Sequence, residues 1–221
     1  MTELKWALYD CASRVTIQRP DRLQEVQVSL GKQAKTLTRG QIEATLSSIS
    51  KTRYPARNRV IQLLSVRAGL RAKEIADLTW AMVTDAEGQI GHSIQLQDRA
   101  SKGRSGRTIP MHTELRSAIE TLQLESGPNA SDFIIRTERS KRTSAQVIVN
   151  LFALWYEILG FNGCSSHSGR RTFITNAARK ISTVDGSLRD VQILAGHSNL
   201  RTTQRYIEPN ASAQIKIVQL I

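Results

Sequence analysis

Apolar residues along this chain follow two rhythms, and the change between them sets the expected architecture. Within residues 56–68, Val60, Ile61, Leu63 and Leu64 recur at helical spacing, which marks an amphipathic helix with one buried face. Gly69 closes it. Ahead of it, Thr38 is placed to cap a helix over residues 41–48, with Glu43 in the first turn where the helix dipole favours an acid. Residues 73–78 make another short helix. From Trp80 the period shortens, and residues 82–84, 93–97 and 107–110 read as three short strands. Glu87-Gly88 and the basic turn Lys102-Gly103-Arg104-Ser105-Gly106 join them. The helical rhythm returns over residues 113–124, capped by Thr113. Past the Gly127-Pro128-Asn129 loop and an apolar segment at 133–135, Thr143 or Ser144 caps a strong helix that Gly160 stops. Residues 168–180, 188–194 and 199–207 complete the helical series. Tyr206 falls on its last member, which Ser198 or Asn199 caps and Pro209 ends.

The pattern predicts an α+β fold, mainly α-helical, with a small antiparallel three-stranded sheet in its first half. Residues 1–34 read as an extension, with a short helix at 4–15 interrupted by Pro20. Residues 35–210 form the domain, and 211–221 an apolar tail. Trp6, Trp80 and Trp155 are expected in cores.

Composition narrows the partner. The 221 residues suffice for one well-buried core. A net charge of +12 is the departure from the ordinary, and such a surplus favours a polyanion through counterion release. No apolar run approaches the ~18 residues that a membrane span needs, and residues 1–10 carry no signal-peptide pattern. Cys11 and Cys164 have neither metal-ligand spacing nor a disulfide framework, which fits reduced thiols in a cytosolic protein.

The last quarter carries the chemistry. His167-Ser168-Gly169-Arg170 is followed by Gly196-His197, and Tyr206 comes nine residues after that histidine. These are parts for attacking a phosphodiester with a phenol. The phenol, with a pKa of ~10, must lose its proton near phosphorus. The crowded phosphoryl transition state needs cations on its non-bridging oxygens, a task suited to the planar, permanently charged guanidinium. His167 and Arg170, three apart at a helix start, are expected to share a face. Gly196 breaks the helix before it and leaves His197 to project into a cleft.

His167-Ser168-Gly169-Arg170-Arg171-Thr172-Phe173, Leu194-Ala195-Gly196-His197 and Thr202-Thr203-Gln204-Arg205-Tyr206 together resemble the catalytic region of the tyrosine recombinase, or phage integrase, family. Ala68-Gly69-Leu70-Arg71 through Leu78 resembles the family's other arginine motif. Ser101-Lys102-Gly103 ahead of Arg107-Thr108-Ile109-Pro110 resembles its lysine-bearing hairpin. The resemblance implies that Tyr206 forms a 3′-phosphotyrosine bond while Arg71 and Arg170 clamp the scissile phosphate. It implies that Lys102 protonates the leaving 5′-oxygen, His167 assists in deprotonating the tyrosine, His197 orients the phosphate and Glu74 positions the site. No metal and no cofactor are called for. Three departures stand out: Gly169 where many members carry leucine, Arg171 where many carry histidine, and a longer link around residues 181–187.

The implied activity is site-specific integration, excision or inversion of double-stranded DNA at the bacterial nucleoid. A synaptic homotetramer would perform it, with accessory DNA-bending proteins where needed. Arg53, Arg57, Arg104, Arg107, Lys141, Arg142 and Arg171 are candidates for contact with the DNA backbone, which fixes position without reading sequence. Family members commonly carry a separate core-binding domain, for which residues 1–34 are too few; the chain resembles either a single-domain recombinase or a catalytic fragment. Residues 211–221 would dock on a neighbouring protomer or, alternatively, pack on their own domain. Two other classes share parts of this set. A type IB topoisomerase has the nucleophile without a defined site, and a recombinase-derived DNA-binding regulator lacks the complete catalytic set.

Overall fold

The computed structural model describes residues 34–97, 106–126, 129, 131–137, 140–207 and 211–219. Expectations for residues 4–15, Trp6, Cys11, Pro20, Lys102, Arg104, Gly127 and Pro128 lie outside these described residues.

Helix α1 (Arg39–Ile49) begins at the expected Thr38, whose side chain accepts from the Gln41 amide while Gln41 returns the bond to Thr38, a reciprocal capping box. The helix starts earlier than expected, so Glu43 falls beyond the first turn and instead pairs with Arg39 at 2.8 Å. Helix α2 (Pro55–Arg67) is buried almost all round, Asn58, Gln62 and Ser65 included, because α1, α3 (Ala72–Ala76), α4 (Thr113–Ser126) and α6 (Ser168–Lys180) all pack on it. Gly69 ends it at φ +64, and a side chain there would collide with the Phe173 ring.

Among the described residues the sheet has two strands, not three. β1 (Ser93–Leu96) pairs antiparallel with β2 (Arg107–Pro110). Residues 82–84, expected as a strand, instead begin within a 3₁₀ turn, Trp80–Met82; the Val83 and Thr84 amides both bond to the Trp80 carbonyl, and Thr84 makes one bridge to Ile90. Trp80, Met82 and Val83 are all buried, and a short apolar run buried on every side carries no alternation to separate strand from turn. Helix α4 begins at Thr113 itself, and the cap is His112, whose Nδ1 accepts from the Glu114 amide at 3.1 Å.

Helix α5 (Ala145–Ile158) is capped by Ser144 and followed by Gly160 at φ +67. Its Phe152 and Trp155 meet edge-to-face at 5.4 Å inside the main core, which also holds Trp80, Leu63, Leu64 and Ile94. A second, smaller core joins Ile174 of α6 to Val191 and Ala195 of α7 (Leu188–Ala195), with Leu188 and Tyr206 against it. The longer link is a 3₁₀ turn, Ile181–Val184, then Asp185 in the left-handed region at φ 55 and a Ser187–Asp190 capping box that opens α7. Helices α8 (Leu200–Gln204) and α9 (Ala211–Val218) complete the described elements. No described helix is long and apolar enough to cross a membrane.

Gly169 has a local reason. A side chain at this position of α6 would run into the Ser65 hydroxyl of α2, so the two helices approach closely because both residues are small.

Candidate active site

The cluster is assembled around one buried carboxylate. Glu74, 1% exposed, accepts from Arg71 Nη1 at 2.8 Å, Arg107 Nη1 at 3.0 Å and Arg107 Nη2 at 3.2 Å, with Arg170 Nη1 at 4.0 Å. The Arg71 amide also donates to it at 2.8 Å, because Arg71 caps α3 and Glu74 occupies that helix's third position. Burial alone would raise the Glu74 pKa; the hydrogen bond and charge of Arg107, then the Arg71 amide and charge, outweigh it and hold the carboxyl below its ordinary value.

Three guanidinium groups against one carboxylate leave the site strongly positive. Arg71 is the outer cation, 27% exposed, and Arg170 the inner one at 4%. Arg170 Nη1 donates to the Gly69 carbonyl at 2.6 Å and Nη2 to the Ala195 carbonyl at 2.7 Å. Both acceptors lie where helices α2 and α7 end, and the negative end of a helix dipole suits a cation. Burial, then the charges of Arg71 and Arg107, bring Arg170 down to about 10, with Glu74 opposing. It therefore stays charged at neutral pH.

Arg107 corrects an expectation. Read as a DNA-backbone contact, it is instead buried beneath the site, binding Glu74 and, through Nε, the Leu194 carbonyl at 2.9 Å. Gly196, at φ +62, lies so close to it that a Cβ would come within 2.6 Å of Nη1. The cue was in the pattern: in β2, Arg107 and Ile109 alternate inward, so the strand period places this charge on the core face.

His197, expected to project into a cleft, is 9% exposed. Its Nε2 lies 3.0 Å from Arg170 Nη2 and its Nδ1 2.9 Å from Thr203 Oγ1. Gln192 holds the loop from both sides, its Nε2 donating to the His197 carbonyl at 2.8 Å and its carbonyl accepting the His197 amide at 3.1 Å. Burial, followed by the charges of Arg170, Arg71 and Arg107, lowers the His197 pKa to about 4. The imidazole is neutral at neutral pH. Gln192 and Thr203 escaped the sequence reading because their roles are contacts with a loop, without a charge or spacing to flag them.

Tyr206 stacks on His197, ring centroids 5.6 Å apart at 22°. It lies in the turn just beyond α8, not on the helix, with its amide bonded to the Thr203 carbonyl at 3.0 Å. Asn199 caps α8, accepting from the Arg201 amide at 2.8 Å. The exposed His167 sits at the N-cap of α6 while Arg170, three residues on, is buried. Among the other expected residues, Arg57 stacks over Tyr54 at 4.4 Å and bonds to Asn58 and the Arg136 carbonyl, and Arg53 lies over the same ring at 5.3 Å. Arg142 pairs with Asp77 at 2.7 Å, Lys141 is exposed and Arg171 is half-buried. Among the described residues, no three His, Cys, Asp or Glu side chains gather as a metal site would require.

The phage integrase family model matches residues 35–213. The tyrosine recombinase XerA of Thermococcus kodakarensis is 32% identical over 177 residues, which are 78% of this chain and 57% of that protein; the chain thus spans little more than half of that relative. Its fold is similar to the crystal structure of XerA recombinase, with a TM-score of 0.63 at 22% identity over 84% of this chain and 64% of that one. It is likewise similar to the integrase of the Tn1549 transposon in complex with a circular intermediate DNA, with a TM-score of 0.65 at 20% identity over 90% and 70% of the two chains. Matched by the family's model over most of its length, the chain belongs to the phage integrase family of tyrosine recombinases.

Proposed function

We propose that the chain is the catalytic part of a site-specific DNA recombinase that cuts and rejoins double-stranded DNA through a 3′-phosphotyrosine intermediate. One observation carries the reading: Tyr206 stacks on His197 beside a surplus of guanidinium groups, so a phenol nucleophile and the cations its transition state needs share one place. In this scheme the Tyr206 oxygen attacks phosphorus and the bond to the 5′-oxygen breaks. Arg71 and Arg170 bind the non-bridging oxygens, His197 donates to one of them, and His167 assists in removing the phenolic proton. Lys102 gives its proton to the leaving 5′-hydroxyl. A second 5′-hydroxyl then attacks the phosphotyrosine and releases the enzyme. The covalent bond conserves the phosphodiester energy, so the step balances without a nucleotide. Glu74 and Arg107 hold the arginines in register.

Double-stranded DNA is the substrate in this reading, at the nucleoid, handled by a synaptic tetramer with DNA-bending proteins where the site needs them. Arg53, Arg57, Lys141, Arg142 and Arg171 are the proposed backbone contacts, and Arg104 joins them from the basic turn. Residues 35–210 are the catalytic domain and residues 211–221 the segment that docks on a neighbour.

The test is a covalent trap. The protein is incubated with fragmented DNA from its own genetic neighbourhood, denatured with detergent, and the attached DNA is sequenced, with Tyr206→Phe in parallel. Adducts at one motif that vanish in the variant are expected. Adducts scattered without a motif point to a topoisomerase, and no adduct despite tight DNA binding points to a regulator.

A further inference from the structure

Both nitrogens of His197 are engaged, and the identity of their partners fixes where its proton sits. Arginine offers only donors, so Nε2, 3.0 Å from Arg170 Nη2, is the acceptor. Nδ1 therefore carries the proton and donates it to Thr203 Oγ1 at 2.9 Å. This arrangement is the wrong one for the chemistry proposed above. To bind a phosphoryl oxygen, His197 must present Nε2–H, while the N–H that Arg170 now directs at Nε2 turns to the same oxygen. Nδ1 must then accept. A backbone carbonyl beside Nδ1 would forbid the exchange and a backbone amide would forbid the starting state. A hydroxyl accommodates both, because it accepts in one and donates in the other.

We propose that Thr203 is a positioning residue whose hydroxyl lets His197 change tautomer as a phosphate enters the site. Nδ1 loses one proton to solvent and Nε2 gains one from it, so the ring is neutral before and after the exchange. Neutrality suits the surroundings: Arg170, Arg71 and Arg107 face this ring, and a fourth charge of the same sign among them is disfavoured. The Thr203 side chain is fully buried, which excludes water as an easy substitute for its hydroxyl. Its place in the chain adds a second consequence. Thr203 sits on α8 and its carbonyl accepts the Tyr206 amide at 3.0 Å. The exchange is therefore available only while the tyrosine turn is seated, and the imidazole becomes ready for phosphate when the nucleophile is present.

The inference rests on the phosphodiester-cleaving reading, and the experiment keeps the two apart. The full chain is labelled with ¹⁵N at its four histidines, His197 is assigned through His197→Gln, and imidazole nitrogen shifts are followed while inorganic phosphate is added. The wild type is expected to begin as the Nδ1–H form and convert to Nε2–H. Thr203→Val, nearly the same shape without the hydroxyl, is expected not to convert, and Thr203→Ser to convert as the wild type does. In single-turnover adduct assays, Thr203→Val should form phosphotyrosine about 10- to 100-fold more slowly, the loss expected from one unpaired buried group, with Thr203→Ser restoring the rate and DNA binding unchanged. Conversion in Thr203→Val, or equal losses in Val and Ser, overturns the proposal, since packing rather than the hydroxyl would then matter. If the wild type forms no adduct, the recombinase reading fails, and the phosphate titration still decides the role of Thr203.

Discussion

The two halves of the site are built on unequal foundations. Arg71, Glu74, Arg107 and Arg170 are held by α3, β2 and α6, and α6 packs directly on the buried α2. His197 and Tyr206 follow the ends of α7 and α8, and the apolar support here is Ile174, Val191 and Ala195 with Phe173 and Leu188 against them. The cations are thus fixed by a large core and Tyr206, the proposed nucleophile, by a small one. Opening the small core costs little free energy, and locally weak elements are where moving parts are found. A phosphate clamp benefits from being rigid before substrate arrives; a tyrosine that must be admitted at the right moment benefits from a shallow seat.

The largest expected effect breaks the rigid half. Glu74→Gln keeps the volume but leaves three guanidinium groups without their shared counter-charge. Losing one member of a buried ion network costs about 3–5 kcal/mol, and urea unfolding at neutral pH measures it. A loss below about 1 kcal/mol would show that Glu74 is not what holds the arginines together. Next comes the small core. Ile174→Ala should cost about 2 kcal/mol, at the low end for a buried isoleucine because a small cluster collapses easily. Amide exchange should rise through α7 and α8 while α2 stays protected. Equal exchange in both regions would mean that the two halves share one foundation after all.

Local signals were the easier ones to foresee. The α2 periodicity, the Thr38 cap and the Gly69 stop are local signals, and each marks a real boundary. The motif residues Arg71, Glu74, Arg170, His197 and Tyr206 do converge. What the sequence concealed were contacts between distant elements. Arg107 looked like surface charge because its partner Glu74 is 33 residues away. Gln192 and Thr203 carry no charge, and their value depends on where the His197 loop falls. The end of α8 was misjudged for a related reason: helical spacing continues through Tyr206, while the backbone leaves the helix at Gln204.

Acid titrates the two halves in different windows. His197 has a folded pKa of about 4 against an ordinary 6.5, so between those values the unfolded chain takes up a proton that the folded chain refuses. Stability should therefore fall as pH drops from 6.5 to about 4, and be level above that range. Glu74 is held below its ordinary 4.5, so the stability it contributes is intact above 4.5 and is lost only as pH falls through its lower folded value. Urea midpoints across this range should show two descents, and His197→Gln should flatten the upper one alone. A single descent that His197→Gln leaves unchanged would assign the acid sensitivity elsewhere.

The smallest expected change in stability extends the comparison to the end of the chain. On α9, Ile215, Ile217 and Val218 are exposed at 62%, 55% and 70%. Side chains that open to water contribute little to the fold that carries them, so Ile215→Asp with Ile217→Asp should alter urea unfolding by no more than about 0.5 kcal/mol. Apolar residues grouped on one short helix are nonetheless costly to leave in water, and in the proposed reading a neighbouring protomer covers them. The same double variant should then bind DNA as a single protomer with unchanged affinity and lose cooperative assembly in sedimentation on DNA. If stability falls by 2 kcal/mol or more, of the order seen for truncating a buried isoleucine, α9 belongs to its own domain and the gradient from rigid clamp to loose tail ends at Tyr206. If stability holds and assembly is lost, the gradient continues into the neighbour, and the element lent to another protomer is the one the domain itself can most easily spare.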